Sequence, residues 1–152
     1  MPELVAGENS YCTLAEANDY HDSRIHTATW FCTADSDKEK ALIIATQLLD
    51  TYDYNGCKSN SSQSLQFPRY DMGDQIPDGT PDAMKHAVAE LAHSLITADI
   101  AEREGRNVKR TKADSVEVEF FGGGGGYSVD LPVMVKRLIN RFIVSGTKLV
   151  RA

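Results

Sequence analysis

The residues best suited to do chemistry or grip a ligand are a five-glycine run, four histidines, three cysteines and clusters of Lys and Arg. The glycines sit in "SVEVEFFGGGGGYSVDLP", from Ser115 to Pro132, between an alternating stretch and a helix-like start. A glycine loop in that position can cradle phosphate, but a P-loop needs Lys and then Ser or Thr directly after it. Here Tyr127-Ser128-Val129 follows. A dinucleotide fingerprint needs a βαβ unit and an acidic residue about 20 positions on, and only one strand pattern is visible. The run therefore reads as a flexible linker that lets its flanking elements move independently.

His21 and His26 are five apart, and His86 and His93 seven apart, close to two helical turns. No HExxH and no clustered cysteines accompany them, so they read as surface or partly packed side chains rather than metal ligands. Glu117 and Glu119 share one face of the alternating stretch. They have the form of an acid–base pair, yet a solvated or interface-facing strand edge explains them more simply. Cys12, Cys32 and Cys57 are scattered and form no CxxC, so they read as reduced, packed thiols. There is no GxSxG. The chain is expected to be no enzyme, with no catalytic residue, metal or cofactor.

Basic residues gather in two places. Arg103, Arg106, Lys109, Arg110 and Lys112 are five in ten positions, and Lys136, Arg137 and Arg141 form a second group. Phe120, Phe121 and Tyr127 are near enough in sequence to stack on bases. The plain reading is a solvated face beside an acidic one. The chain as a whole carries a formal charge of -6, which weighs against a protein that holds nucleic acid by neutralising phosphates.

These groups must be positioned by a single domain, given 152 residues with 41% hydrophobic and 25% charged content. We expect residues 1–146 to form it and 147–152 to be a tail. "PELVAGENSYC" has no basic start and no apolar core, so it is not a signal peptide, and no apolar run is long enough to span a bilayer.

Thr13 and Glu16 make a capping box for a first helix, with Leu14, Ala17 and Tyr20 inward. Ser36 and Glu39 make a second box, before a helix with Ala41, Ile44, Ala45, Leu48 and Tyr52 in its stripe and Asn55-Gly56 at its end. A broken connection of more than 20 residues follows, which a compact domain tolerates only if it is functional or packed on itself. Leu65, Phe67 and Tyr70 are its expected pins, with Phe67-Pro68-Arg69 as the anchor and Arg69 an ion-pair or interface residue.

Thr80 caps the strongest helix, with Pro81 at its first position, running to Glu104. Val116, Val118 and Phe120 alternate as a strand, with Val108, Arg110 and Lys112 as its hairpin partner. Asp130 caps a last helix, which has Val135, Leu138, Ile139 and Phe142 on one face and Lys136, Arg137, Asn140 and Arg141 on the other. The expected fold is mainly α, about four helices with an inserted β-hairpin and a flexible glycine-rich loop.

Several segments occur together in order: "NSYCTLAEANDY", "KALIIATQLLDTYDYNG", "LQFPR", "IPDGTPDAMKHAVAELAHSL" and "VKRTKADSVEVEF". The set resembles the tailed-phage family described as DnaT-like single-stranded-DNA-binding proteins, whose members are also read as head–tail connector, or adaptor, proteins. The resemblance spans about Asn9 to Phe120 and the closing helix; the glycine run and the tail after Gly146 have no counterpart in it.

As an adaptor, the chain is expected to be a structural virion protein of the neck, made in the host cytoplasm. It would form a ring, a dodecamer by the resemblance, between the portal protein and a downstream neck or tail protein. Genomic duplex DNA would pass without a specific grip, helped by an acidic lumen, and no membrane is involved. Val116, Glu117, Val118, Glu119 and Phe120 would make the inter-subunit contact. Val144, Ser145, Gly146, Thr147, Lys148, Leu149, Val150 and Arg151 would dock on the portal. The alternative is a phage replication accessory that binds single strands through Arg106, Lys109, Arg110 and Lys112.

Overall fold

The computed structural model describes residues 3–73, 75–97 and 131–144. Within them the chain is mainly helical, with one small antiparallel sheet, in agreement with the expected class. In chain order the elements are α1 (Leu14–Asp22), α2 (Ala28–Cys32), α3 (Asp35–Leu49), β1 (Cys57–Lys58), β2 (Arg69–Tyr70), α4 (Asp82–Thr97) and α5 (Val133–Ile139).

The first helix starts as its capping box dictates. The Glu16 backbone N–H donates to Thr13 Oγ1 at 3.2 Å, and the Thr13 N–H donates to Glu16 Oε2 at 2.8 Å. Each bond satisfies a donor that a helix N-terminus would otherwise leave unpaired. The second expected box, Ser36 with Glu39, does not form. Ala34 is the N-cap of α3 and no side chain caps it; Asp35 and Asp37 occupy the first turn instead, where carboxylates complement the helix dipole.

That helix also stops before Asn55-Gly56, at Leu49. The Thr51 hydroxyl donates to the Leu48 carbonyl at 2.7 Å and the Tyr54 hydroxyl to the Leu49 carbonyl at 2.6 Å. Side chains thus satisfy the orphan carbonyls and make the early stop stable. Ile44, expected inward, is 42% exposed; the buried positions are Lys38, Ala41, Leu42, Ala45, Thr46 and Leu49.

Helix α4 is the hub, since α1, α2, α3 and α5 all pack on it. This is why Met84, Ala87, Val88, Ala89, Leu91 and Ala92 are all buried: at 100° per residue they cover about 200° of the helix. Alanines occupy buried positions of both α3 and α4, and the distance between packed helices is set by the side chains at their contact. Each fully buried Leu, such as Leu42, Leu49 or Leu91, contributes about 1.5–3 kcal/mol. The helix begins at Asp82, and the Pro81 carbonyl accepts from Met84 N–H at 2.9 Å, so Pro81 is the cap rather than the first helical residue. Its expected extension to Glu104 lies outside the described residues.

No pattern of the sequence pointed to α2, because five residues are too few to show a period. It exists to bury Trp30, which is 0% exposed and donates Nε1–H to Asn18 Oδ1 at 2.9 Å.

The long connection folds on itself. β1 pairs with β2 in the register Cys57↔Tyr70 and Lys58↔Arg69, and Arg69 bridges to Gly79 on the other side. Leu65 and Phe67 are buried, but Tyr70 is 46% exposed and does not pin the loop. Successive strand side chains point to opposite faces, so burying Arg69 turns Tyr70 outward. The expected hairpin of Val108–Lys112 with Val116–Phe120 and the glycine run lie outside the described residues. Asp130 is not the cap of the last helix: Pro132 is the N-cap of α5, and no side chain caps it. Helix α5 ends at Ile139 rather than near Gly146, and Ile143 then bridges to Tyr54. No helix among the described residues is long and apolar enough to cross a membrane.

Candidate functional site

Four groupings of functional side chains are built by this fold. The first surrounds Phe67 and Arg69. Phe67 is 1% exposed and its ring meets Tyr11, Tyr54 and Phe142 edge-on, at 5.7, 4.9 and 6.2 Å. Arg69 is buried, and its guanidinium donates to the carbonyls of Tyr54 (3.0 Å), Asn55 (2.9 Å), Gly56 (2.8 Å) and Gln66 (3.3 Å) and to Gln66 Oε1 (3.0 Å). It stands in no ion pair with a described residue. Its planar fork suits several acceptors at fixed angles, and here it ties α3's exit to the loop.

The second grouping joins histidines that spacing along one element did not connect. His21 of α1 is buried, lies 4.4 Å from the Trp30 ring and 5.3 Å from the His93 ring of α4, and bonds through Nε2 to the Ala89 carbonyl at 3.0 Å. His93 Nε2 is buried with no hydrogen-bond partner. Burial pushes both imidazoles below the usual histidine range, because desolvation penalises the charged form. His26 is exposed, and exposed His86 stacks on Tyr20 at 4.5 Å.

The third is a cleft of about 500 Å3 between α1 and the first turns of α4, crossed by the Lys85–Glu16 ion pair at 2.8 Å. Cys12 lines it, but burial pushes its thiol up to about 12, and a thiol protonated at neutral pH is a poor nucleophile. Lys85 holds Glu16 below the usual carboxylate range, so Glu16 is ionised and carries no proton to give. Cys32 and Cys57 are free and exposed rather than packed. Among the described residues no group of three or more His, Cys, Asp or Glu is arranged to hold a metal ion.

The fourth is the solvent face of α5 and of the turn that follows it. Val135, Ile139 and Phe142 are buried, while Lys136, Arg137, Asn140 and Arg141 are exposed, matching the face assignment made from spacing. Val133 and Met134, which that assignment passed over, are 63% and 39% exposed. No Asp or Glu lies within 131–144.

Charge is unevenly distributed along the chain. Residues 1–102 hold 17 Asp and Glu against 6 Lys and Arg, and residues 103–152 hold 5 against 10. The net charge of -6 therefore conceals a basic final third. Of the expected site residues, Arg106, Lys109, Arg110, Lys112, Val116–Phe120 and Ser145–Arg151 lie outside the described residues. Val144 is 48% exposed and its N–H donates to the Asp53 carbonyl at 3.0 Å.

A comparison with protein-family models matches residues 2–152 to the family described as "Putative DnaT-like ssDNA binding protein". No curated protein and no solved structure matches the chain.

Proposed function

Because the chain belongs to the family of DnaT-like ssDNA-binding proteins, we propose that it binds single-stranded DNA as a non-enzymatic replication accessory. The observation that carries this reading is the family match along residues 2–152. The basic final third supports it. Phosphate neutralisation needs a local positive surface rather than a positive average, and release of condensed counterions then supplies the free energy.

The test is fluorescence anisotropy of a labelled oligothymidylate with the full chain across a salt series. The expected result is binding that weakens steeply as salt rises, with log K falling by about 0.7 per phosphate contact for each unit of log salt. A duplex of the same length is expected to bind more weakly. No binding at low salt would remove this reading.

The head–tail adaptor is the second reading, and the acidic residues 1–102 favour it, since an acidic lumen would repel passing duplex DNA. It is the weaker of the two, because the family's description names single-stranded DNA. Its ring and its portal and tail partners are proposals of that reading alone. A fixed copy number in purified virions would favour it, whereas abundance in infected cells and absence from particles would favour the replication accessory.

A further inference from the structure

We propose that the solvent face of α5 and the turn after it contact the single strand: Arg137 and Arg141, flanked by Lys136, meet backbone phosphates, and Val133 and Met134 lie against bases. The proposal rests on the single-strand reading above and gives it a location.

The first argument is helical geometry. At 100° per residue, Lys136, Val133, Arg137 and Met134 of α5 fall in that angular order along an arc of about 160°, and Asn140 and Arg141 follow in the turn that closes the helix. All six are exposed. Helix and turn together present three cations, an amide and two aliphatic side chains, with no carboxylate.

The second argument is what happens to the other cations. Of the six other described cations, Arg24 pairs with Glu90, Lys38 with Asp35, Lys40 with Asp37 and Lys85 with Glu16, whereas Lys58 of β1 stands in no ion pair with a described residue. Arg69 is spent on backbone carbonyls and an amide oxygen. Arg137 and Arg141 stand in no ion pair with a described residue. The Arg141 guanidinium lies over the Phe142 ring, 4.8 Å from its centroid. Ring contact steadies the guanidinium plane while leaving its N–H donors for an anion.

The third argument is rigidity. Val135, Ile139 and Phe142 are buried, α5 packs on α4, and Ile143 bridges to Tyr54. A surface already held in place loses little entropy when it binds. Exposed aliphatic side chains beside cations suit a strand whose bases are unpaired, because base faces and the thymine methyl are apolar.

The test uses the full chain and a labelled oligothymidylate, with helicity checked by far-UV circular dichroism. Arg137→Gln with Arg141→Gln is expected to lower the salt slope by about 1.4, at about 0.7 per lost phosphate contact, and to weaken binding at least about tenfold at moderate salt. Val133→Ser with Met134→Ser is expected to weaken binding at an unchanged slope. Lys40→Gln, on the ion-paired side of α3, should change neither.

An unchanged slope in the arginine variant, with the parent protein binding normally, would overturn the location and leave the single-strand reading standing. Unaltered affinity in the Val133/Met134 variant would remove the base contact. Failure of the parent protein to bind would remove both location and reading. Retained DNA binding with lost capture of an oligoglutamate would assign the face to an acidic protein segment instead.

Discussion

Arg69 sits in a two-residue strand, and its charge is used to organise backbone rather than to meet a carboxylate. Four carbonyl oxygens and one amide oxygen converge on it. Arg69→Ala would leave that set short of donors and is expected to cost about 3 kcal/mol, read as a shift in the urea midpoint. Arg69→Lys should rescue little, since an ammonium cannot match the fork; full rescue would show that charge alone suffices. His21 and His93 make the complementary case, in which burial keeps a titratable pair neutral. Their folded pKa values are depressed, so the unfolded chain takes up protons first as pH falls below the usual histidine value. Stability is then full above about pH 6.5 and declines as pH drops towards the folded values. Arg24, Lys38, Glu90, Tyr20 and His86 are the charged or titratable groups around this cluster, and Glu90 alone favours protonation of both rings. Thermal midpoints measured from pH 8 to pH 5 should fall in the parent protein and fall less in His93→Leu; identical slopes would place the sensitivity elsewhere.

At the scale of elements, the strand pair is held by a close approach that only glycine permits. Gly56 has φ +77, and a Cβ there would lie 2.3 Å from the Tyr70 carbonyl oxygen. Gly56→Ala therefore adds a clash with backbone to an unfavourable conformation, and is expected to destabilise by more than about 1–3 kcal/mol, the usual cost of a strained residue. A denaturation midpoint within error of the parent would show that β1 and β2 can separate freely. The same elements explain why Thr13 with Glu16 read true while Ser36 with Glu39 did not. A capping box is a local pattern, and it forms where tertiary packing leaves the helix start where the pattern puts it. Burying Lys38, whose ammonium lies 2.9 Å from Asp35 and 5.8 Å from the Trp30 ring, fits a start two residues earlier for α3, with Ala34 rather than Ser36 as its N-cap.

Across the whole molecule, Phe67 is the point where distant parts of the chain meet. Its ring touches Tyr11 near the start, Tyr54 after α3 and Phe142 after α5. Phe67→Ala is expected to cost about 3–5 kcal/mol and to loosen all three junctions together; a negligible change in thermal stability would contradict that role. Short-range chemistry was enough to fix the α1 cap, the amphipathic faces of α5 and the imbalance of charge between the first and last parts of the chain. Each of these depends on residues a few positions apart or on simple counts. The union of His21 with His93, the enclosure of Arg69, the exposure of Ile44 and the existence of α2 depend on contacts between residues far apart in sequence. The same is true of charge. The cations can be counted in the sequence, but pairs such as Lys85 with Glu16 or Arg24 with Glu90 bring together groups more than 60 residues apart. Which positive charges are neutralised, and which remain for a ligand, is settled only when the helices pack around α4.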